Sequence, residues 1–179
     1  MRKTSILALV LAVIMIAAVA WAIGVGSTVG NVQMRNSNNN PAWIPDLGSK
    51  VVTVFYNDSS AADFTDPIAT AIKNKNYPES KYRGQGIANM ADSRGIPDFV
   101  IRGIVRSKER KYDTKILTDP DHILRNAWNL GNCNDIGIVV VIGKDKVVRY
   151  LGRVTSVAQG RSLVNTVLGI IETEMAKIK

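Results

Sequence analysis

Few residues of this chain are able to do covalent or metal chemistry. Its 179 residues include one cysteine, Cys133, and one histidine, His122. A Cys/His zinc site needs several such ligands, and a dithiol or an internal disulfide needs a second sulfur. All three are excluded, and no metal or cofactor is implied. Cys133 lies in the stretch Gly131-Asn-Cys-Asn134. A lone thiol there offers one-cysteine redox chemistry if it ionises readily. The alternative is a small, partly buried apolar residue. A second polar group, Asn57-Asp58-Ser59-Ser60, follows an apolar run and carries a carboxylate and two hydroxyls suited to capping a helix. His122 reads as a solvated imidazole at a short helix start, and no carboxylate–His–Ser set is visible. Gly84-Gln-Gly86 lacks the Lys-Ser/Thr pair and the strand-to-helix setting of a phosphate loop.

The elements that position these residues alternate between strand and helix. Val51–Tyr56 is a short apolar, β-branched run and reads as a buried strand. A helix follows over 61–76, with Pro67 in its first turn or at a kink and Pro78 beyond its end. Gln85–Met90 reads as a second strand. Pro97 opens a helix to Tyr112, with Phe99, Val100, Ile104 and Val105 facing inward and Arg102, Arg106 and Arg110 outward. Ile116–Thr118 is a brief strand, Asp119-Pro-Asp121 a turn, and Ile123–Leu130 one or two helical turns. Ile136–Ile142 is continuously apolar and hence central. Gly143–Lys146 turns the chain into Val147–Leu151, and a last helix begins with Ser156 and Gln159 at capping-box spacing. A parallel βαβ half closed by a hairpin and a helix is the thioredoxin topology. The expected architecture is therefore a thioredoxin-like three-layer α/β sandwich, a mixed central sheet with helices on both faces, plus an N-terminal hydrophobic helix.

The block from Ile116 to Leu130, followed by Gly137–Val148, resembles thioredoxin-fold and peroxiredoxin-like proteins. More closely, Ala71-Ile-Lys73, Tyr77-Pro78, Tyr82, the basic helix end before Tyr112 and Arg125-Asn-Ala-Trp-x-Leu130 resemble the YtfJ-like family of exported bacterial proteins. The resemblance spans residues 50–175 and implies an envelope protein of thioredoxin fold with no defined reaction. It departs from working thioredoxins in two places. Their low-pKa thiolate at the first helix N-terminus is replaced by Asn57–Ser60, and their cis-proline loop by Asn134-Asp135-Ile136. Dithiol exchange is excluded. In that fold the loop before the central strand lies beside the first helix. Cys133 is thus expected near Ser59 and Ser60, and a small-ligand groove is expected between Asn57, Asp58, Ser59, Ser60 and Asn134, Asp135.

Arg2 and Lys3 precede an uncharged apolar stretch that runs to Ile23. It reads either as a signal peptide with an Ala20-Trp21-Ala22 cleavage site or as a single transmembrane anchor. Both readings put the remaining chain outside the cytoplasm, in the periplasm or on the outer face of the inner membrane. Residues 1–30 are assigned to that segment, 31–49 to an Asn/Pro-rich linker, and 50–179 to the domain. The composition is basic, with 23 Lys+Arg against 15 Asp+Glu. Removing Arg2 and Lys3 lowers the 23 to 21, a net +6. Arg102, Arg106, Lys108, Arg110 and Lys111 form the densest patch, a docking face for a membrane protein complex or an anionic membrane surface, or simply a solvated helix. Export and the lack of interleaved aromatic and basic residues argue against nucleic acid. No oligomeric state follows. The sequence points to a non-catalytic interaction or accessory module of the envelope. The alternatives are a thiol redox protein using Cys133 and a small-ligand binder.

Overall fold

The computed structural model describes residues 22–93 and 95–179. Of the segment 1–30 assigned to a signal peptide or anchor, residues 1–21 lie outside the described residues, whereas 22–30 is not helical and docks on the domain, with Val29 buried and Gly26 N–H donating to Val148 O at 2.8 Å. Among those described, no helix is long and apolar enough to cross a membrane. The elements run β1 (Met34–Asn36), β2 (Pro41–Ala42), β3 (Val51–Asn57), α1 (Asp66–Lys75), β4 (Tyr82–Asn89), α2 (Asp98–Tyr112), β5 (Leu117–Asp119), α3 (Ile123–Ala127), β6 (Gly137–Ile142), β7 (Val148–Val154) and α4 (Val157–Ala176). They form one sheet in the order β2-β1-β5-β4-β3-β6-β7. β3 pairs parallel with β4 and antiparallel with β6, and β6 pairs antiparallel with β7. This is the expected thioredoxin-like arrangement.

The sheet's two faces follow from the period-2 alternation of its strands. Val52, Val54 and Tyr56 of β3 join Ile138, Val140 and Ile142 of β6 on one face, under Leu124 and Trp128. Val51 and Phe55 join Val139 and Val141 on the other, under α1 and α4. β6 is buried along its whole length, as a strand covered on both faces must be. α4 starts at a true cap, since Ser156 Oγ accepts from Gln159 N–H at 3.2 Å. Gln159 Oε1 accepts in return from Thr155 N–H rather than from Ser156, so the box is displaced by one residue. Gly160 lets the first turn of α4 approach the 61–65 turn. A Cβ there would lie 2.2 Å from Phe64 O.

Several boundaries differ from expectation for local reasons. α1 begins at Asp66, because 61–65 is a series of turns, and it ends where Asn76 adopts a left-handed conformation. β4 begins at Tyr82 rather than Gln85. Tyr82, Arg83 and Gly84 pair in register with Val51, Val52 and Thr53, although glycine and arginine give no strand signal. α2 is rotated from its expected face. Ile101 and Val105 are buried, whereas Phe99, Val100 and Ile104 are 73%, 39% and 36% exposed.

The segment 31–49 is not a free linker. β1 adds antiparallel to β5, and Pro41 sits on the edge strand, where its missing N–H leaves no ladder bond unmade. Val29, Met34 and Ile44 are buried in the main core. Asn31 fixes Ile44 by bonding both its peptide groups, at 2.8 and 3.1 Å. Trp43 beside it is exposed.

Candidate functional site

The C-terminal ends of β3, β4 and β5 and the start of β6 meet along one edge, where α/β sheets carry their sites. The loop after β3 and the loop before β6 touch there, as expected. Asp58 is the joint, and it is 4% exposed. Its Oδ1 accepts from Ala61 N–H at 2.8 Å and from Ser60 Oγ–H at 2.9 Å. Its Oδ2 accepts from Asp135 N–H at 2.7 Å. Ser60 Oγ also lies 2.6 Å from Asp135 Oδ1, and its one proton serves either carboxylate. Asn57 Nδ2 donates to Thr65 Oγ1 at 2.7 Å, and Ser59 N–H donates to Ser93 Oγ at 3.3 Å. Asn134 donates to Asp135 Oδ2 at 2.7 Å. The expected groove residues are therefore together, but Asp58, Ser60 and Asp135 are tied across the space between the loops. The gap is closed where a ligand site was expected.

Cys133 takes no part in this knot. Its loop is in the expected place, but its side chain turns into the main core with Tyr56, Trp128 and Leu130 and is fully buried. Its Sγ–H donates to the carbonyl of Gly131, at 3.5 Å. Burial pushes the thiol up to about 11, against the opposing pull of Arg153 and Arg125. A nucleophilic cysteine needs the reverse, an exposed thiol with a lowered pKa.

A second cluster on the same edge went unseen in the sequence. His122 Nε2 lies 2.9 Å from Asp92 Oδ1 and 3.0 Å from Arg125 Nη1, so it is a partly covered hydrogen-bonding partner of that pair rather than a solvated imidazole. Nε2 bonds one of these partners at a time, since it donates only when protonated. Burial raises the Asp92 carboxyl, but the bond from Asn89 and the charges of His122 and Arg125 carry it below its ordinary value. His122 has φ of 56°, a left-handed backbone uncommon outside glycine. Behind it Asp119 is fully buried and caps α3, accepting from Ile123 and Leu124 N–H at 2.7 and 3.0 Å and from Tyr56 Oη at 3.1 Å. The spacing of His122 and Arg125, one helical turn, was the available signal. Asp92 reaches them only through the fold.

The basic patch on α2 divides. Lys108 Nζ bonds Asp63 at 2.6 Å and Asp66 at 2.7 Å, and Lys111 Nζ bonds Asp66 at 2.6 Å. Arg102 bonds Asn39 Oδ1 at 3.1 Å and Ser37 O at 3.4 Å. These three hold α2 to α1, to the turns before it and to the β1–β2 turn. Arg106 and Arg110 remain on the exposed face.

This topology and strand-end site define a thioredoxin-like α/β protein, and solved structures of that class superpose on most of the chain. Peroxidoxin BcpB from Mycobacterium tuberculosis matches 84% of this chain and 97% of its own, at 14% identity and a TM-score of 0.62. A DsbF homologue from Corynebacterium diphtheriae matches 86% and 90%, at 11% identity and 0.59. The thioredoxin domain of a thiol-disulfide oxidoreductase from Bacteroides vulgatus matches 84% and 99%, at 12% identity and 0.58. At such identities the likeness carries the fold alone. No curated protein matches the sequence. Over residues 23–174 the chain matches the family described as "Bacterial protein of unknown function (YtfJ_HI0045)", and it belongs to that family.

Proposed function

We propose that this protein is an exported thioredoxin-fold module of the bacterial envelope that performs no dithiol exchange and acts as an interaction or accessory protein. One observation carries the reading. At the strand ends where this fold's redox enzymes present a thiolate, the chain has a closed knot built on Asp58, and its lone thiol is buried behind it. Export is supported by Arg2, Lys3 and the apolar stretch ahead of Ile23. The family match begins at residue 23, and the described chain is docked from there, with Ile23 N–H donating to Trp128 O at 3.3 Å. Partner or anionic-lipid docking falls to the exposed Arg106 and Arg110, with Phe99 on the same helix.

The test joins location to thiol chemistry. The full chain, expressed in a bacterium, is expected in the envelope fraction, with an intact mass that either begins at Ile23 or retains residues 1–22. The purified protein is expected to show no disulfide reductase activity toward insulin. Its Cys133 should react with a thiol reagent only after denaturation. Recovery from the cytosol with residues 1–22 intact would sink the envelope reading. A native Cys133 that reacts within seconds would return the thiol redox alternative.

A further inference from the structure

An open volume lies over β4 and between α1 and α2, meeting the knot only at residues 57–59. It is a cavity of about 320 Å³, at the small end of the roughly 300–1,000 Å³ range of ligand pockets. Residues 57–59 reach one end of it, and nothing from 131–135 does. Its floor is one face of β4, where Gly84, Gly86 and Ala88 alternate. A strand covered by two helices ordinarily presents Val or Ile on such a face. Here a Cβ on Gly84 would meet only the Tyr82 phenol, at 3.6 Å. The helices do not close the space. α1 and α2 belong to separate apolar clusters and are bridged by the ion pairs of Lys108 and Lys111 with Asp66.

Polar atoms facing this space are unfinished. Tyr82 is 9% exposed, and its hydroxyl is buried without a hydrogen bond. Thr53 Oγ1 lies near it but short of bonding geometry, and Asn57 Oδ1, which also has no donor, is turned toward Gly137 of β6 rather than over β4. Tyr112 Oη, beside Asp66, is also unbonded. Asn57, Tyr82 and Tyr112 all line the cavity. A buried polar atom left unbonded costs about 1–3 kcal/mol, so an occupant that bonds these atoms is strongly favoured. The covered charges of the cavity are paired, Lys108 with Asp66 and Asp58 with backbone N–H groups, whereas Lys73, Glu79 and Asp113, which also line it, are exposed to solvent. The covered part of the lining leaves no counter-charge for an ion.

We propose that this cavity binds a neutral, mostly apolar small molecule bearing an N–H or O–H group, seated over Gly84 with that group toward Tyr82 Oη. The inference is independent of the thiol and envelope readings. Indole, neutral and apolar with one N–H, is the probe. It is titrated into the full chain labelled at isoleucine δ-methyls and followed by NMR. Saturable shifts are expected at Ile72, Ile101 and Ile104, with Ile138 and Ile142 unmoved. Gly84→Leu fills the cavity from the floor and Ala69→Leu from α1. Each folded variant should weaken binding at least tenfold, and benzoate should produce no saturable shift. The absence of saturable shifts with indole, which leaves only water to occupy the space, overturns the proposal. So do shifts that both filled variants preserve, or equal binding of benzoate. Should one variant not fold, the other decides.

Discussion

The two faces of the sheet are built to different ends. One is packed solid. Trp128, Tyr56, Cys133 and Leu124 fill it, and the N-terminal segment seals it with Val29, Met34 and Ile44. The other is packed where α4 and α1 lie and, separately, where Ile101 and Val105 of α2 meet Met90 and Ile116, and it opens above β4 between the two. A single strand makes the difference. β4 turns Gln85, Ile87 and Asn89 toward the filled side and Gly84, Gly86 and Ala88 toward the open one. A thioredoxin-like frame thus holds its polar edge and its lone thiol shut, and leaves room elsewhere.

The largest effect expected is on the filled face. Trp128 is 2% exposed, and its Nε1–H donates to Gly30 O at 2.9 Å. Trp128→Ala removes that anchor and its contacts with the N-terminal segment, at about 3–5 kcal/mol in chemical denaturation. On the open face Ile104, already 36% exposed, should lose under about 1 kcal/mol on Ile104→Ala. Equal losses at both positions would erase the distinction between the faces.

The knot at the edge comes next. Asp58→Ala leaves the N–H groups of Ala61 and Asp135 without their acceptor, a loss of about 2–3 kcal/mol. It also unties the loop before β6 from the turn after β3. Amide hydrogen exchange at 131–135 should therefore rise more than the global destabilisation requires. If exchange rises evenly over the whole chain, the knot is a packing element and not a local fastener.

How much of this was legible in the sequence depended on where each residue's partners lie. β3 and β6 were readable almost residue by residue, because a strand covered on both faces is apolar at every position. β4 was half hidden, since its first residues are held by pairing with β3 and two glycines erase the pattern. The 31–49 segment misled because asparagine and proline suggest solvated chain. Yet Asn31 spends its amide on Ile44, and Pro41 occupies an edge. The groove residues 57–60 and 134–135 were correctly brought together by topology, but their spacing gave no sign that Asp58 would close the gap. The loop of Cys133 was located, and of the two readings of its thiol the structure takes the buried one. Lys108 and Asp66, like Asp92 and His122, are partners across distant segments, which no local period reveals.

A smaller, pH-dependent effect separates the polar edge from both faces. The folded Asp92 carboxyl is held below its ordinary value, and an unfolded Asp titrates near about 3.9. Between those two values the unfolded chain binds the extra proton, so stability rises with pH across that window. The contribution of Asp92 is full above about pH 4 and fades as the pH falls through its folded value. Asp92→Asn keeps a hydrogen-bonding side chain and removes the charge. Its denaturation midpoint should fall modestly at pH 7 and converge on that of the parent as the pH drops below the folded value of Asp92. The ion pair is partly solvent-covered at its rim, with His122 24% and Arg125 29% exposed, so the gap at pH 7 should be no more than about 1 kcal/mol. Asp66→Asn should show the same convergence, because burial raises that carboxyl while Lys108 and Lys111 more than offset it. It should also loosen α2 over the cavity. A wider methyl response of Ile101 and Ile104 to indole in Asp66→Asn, with none in Asp92→Asn, would tie the ion pairs of the open face to its vacancy.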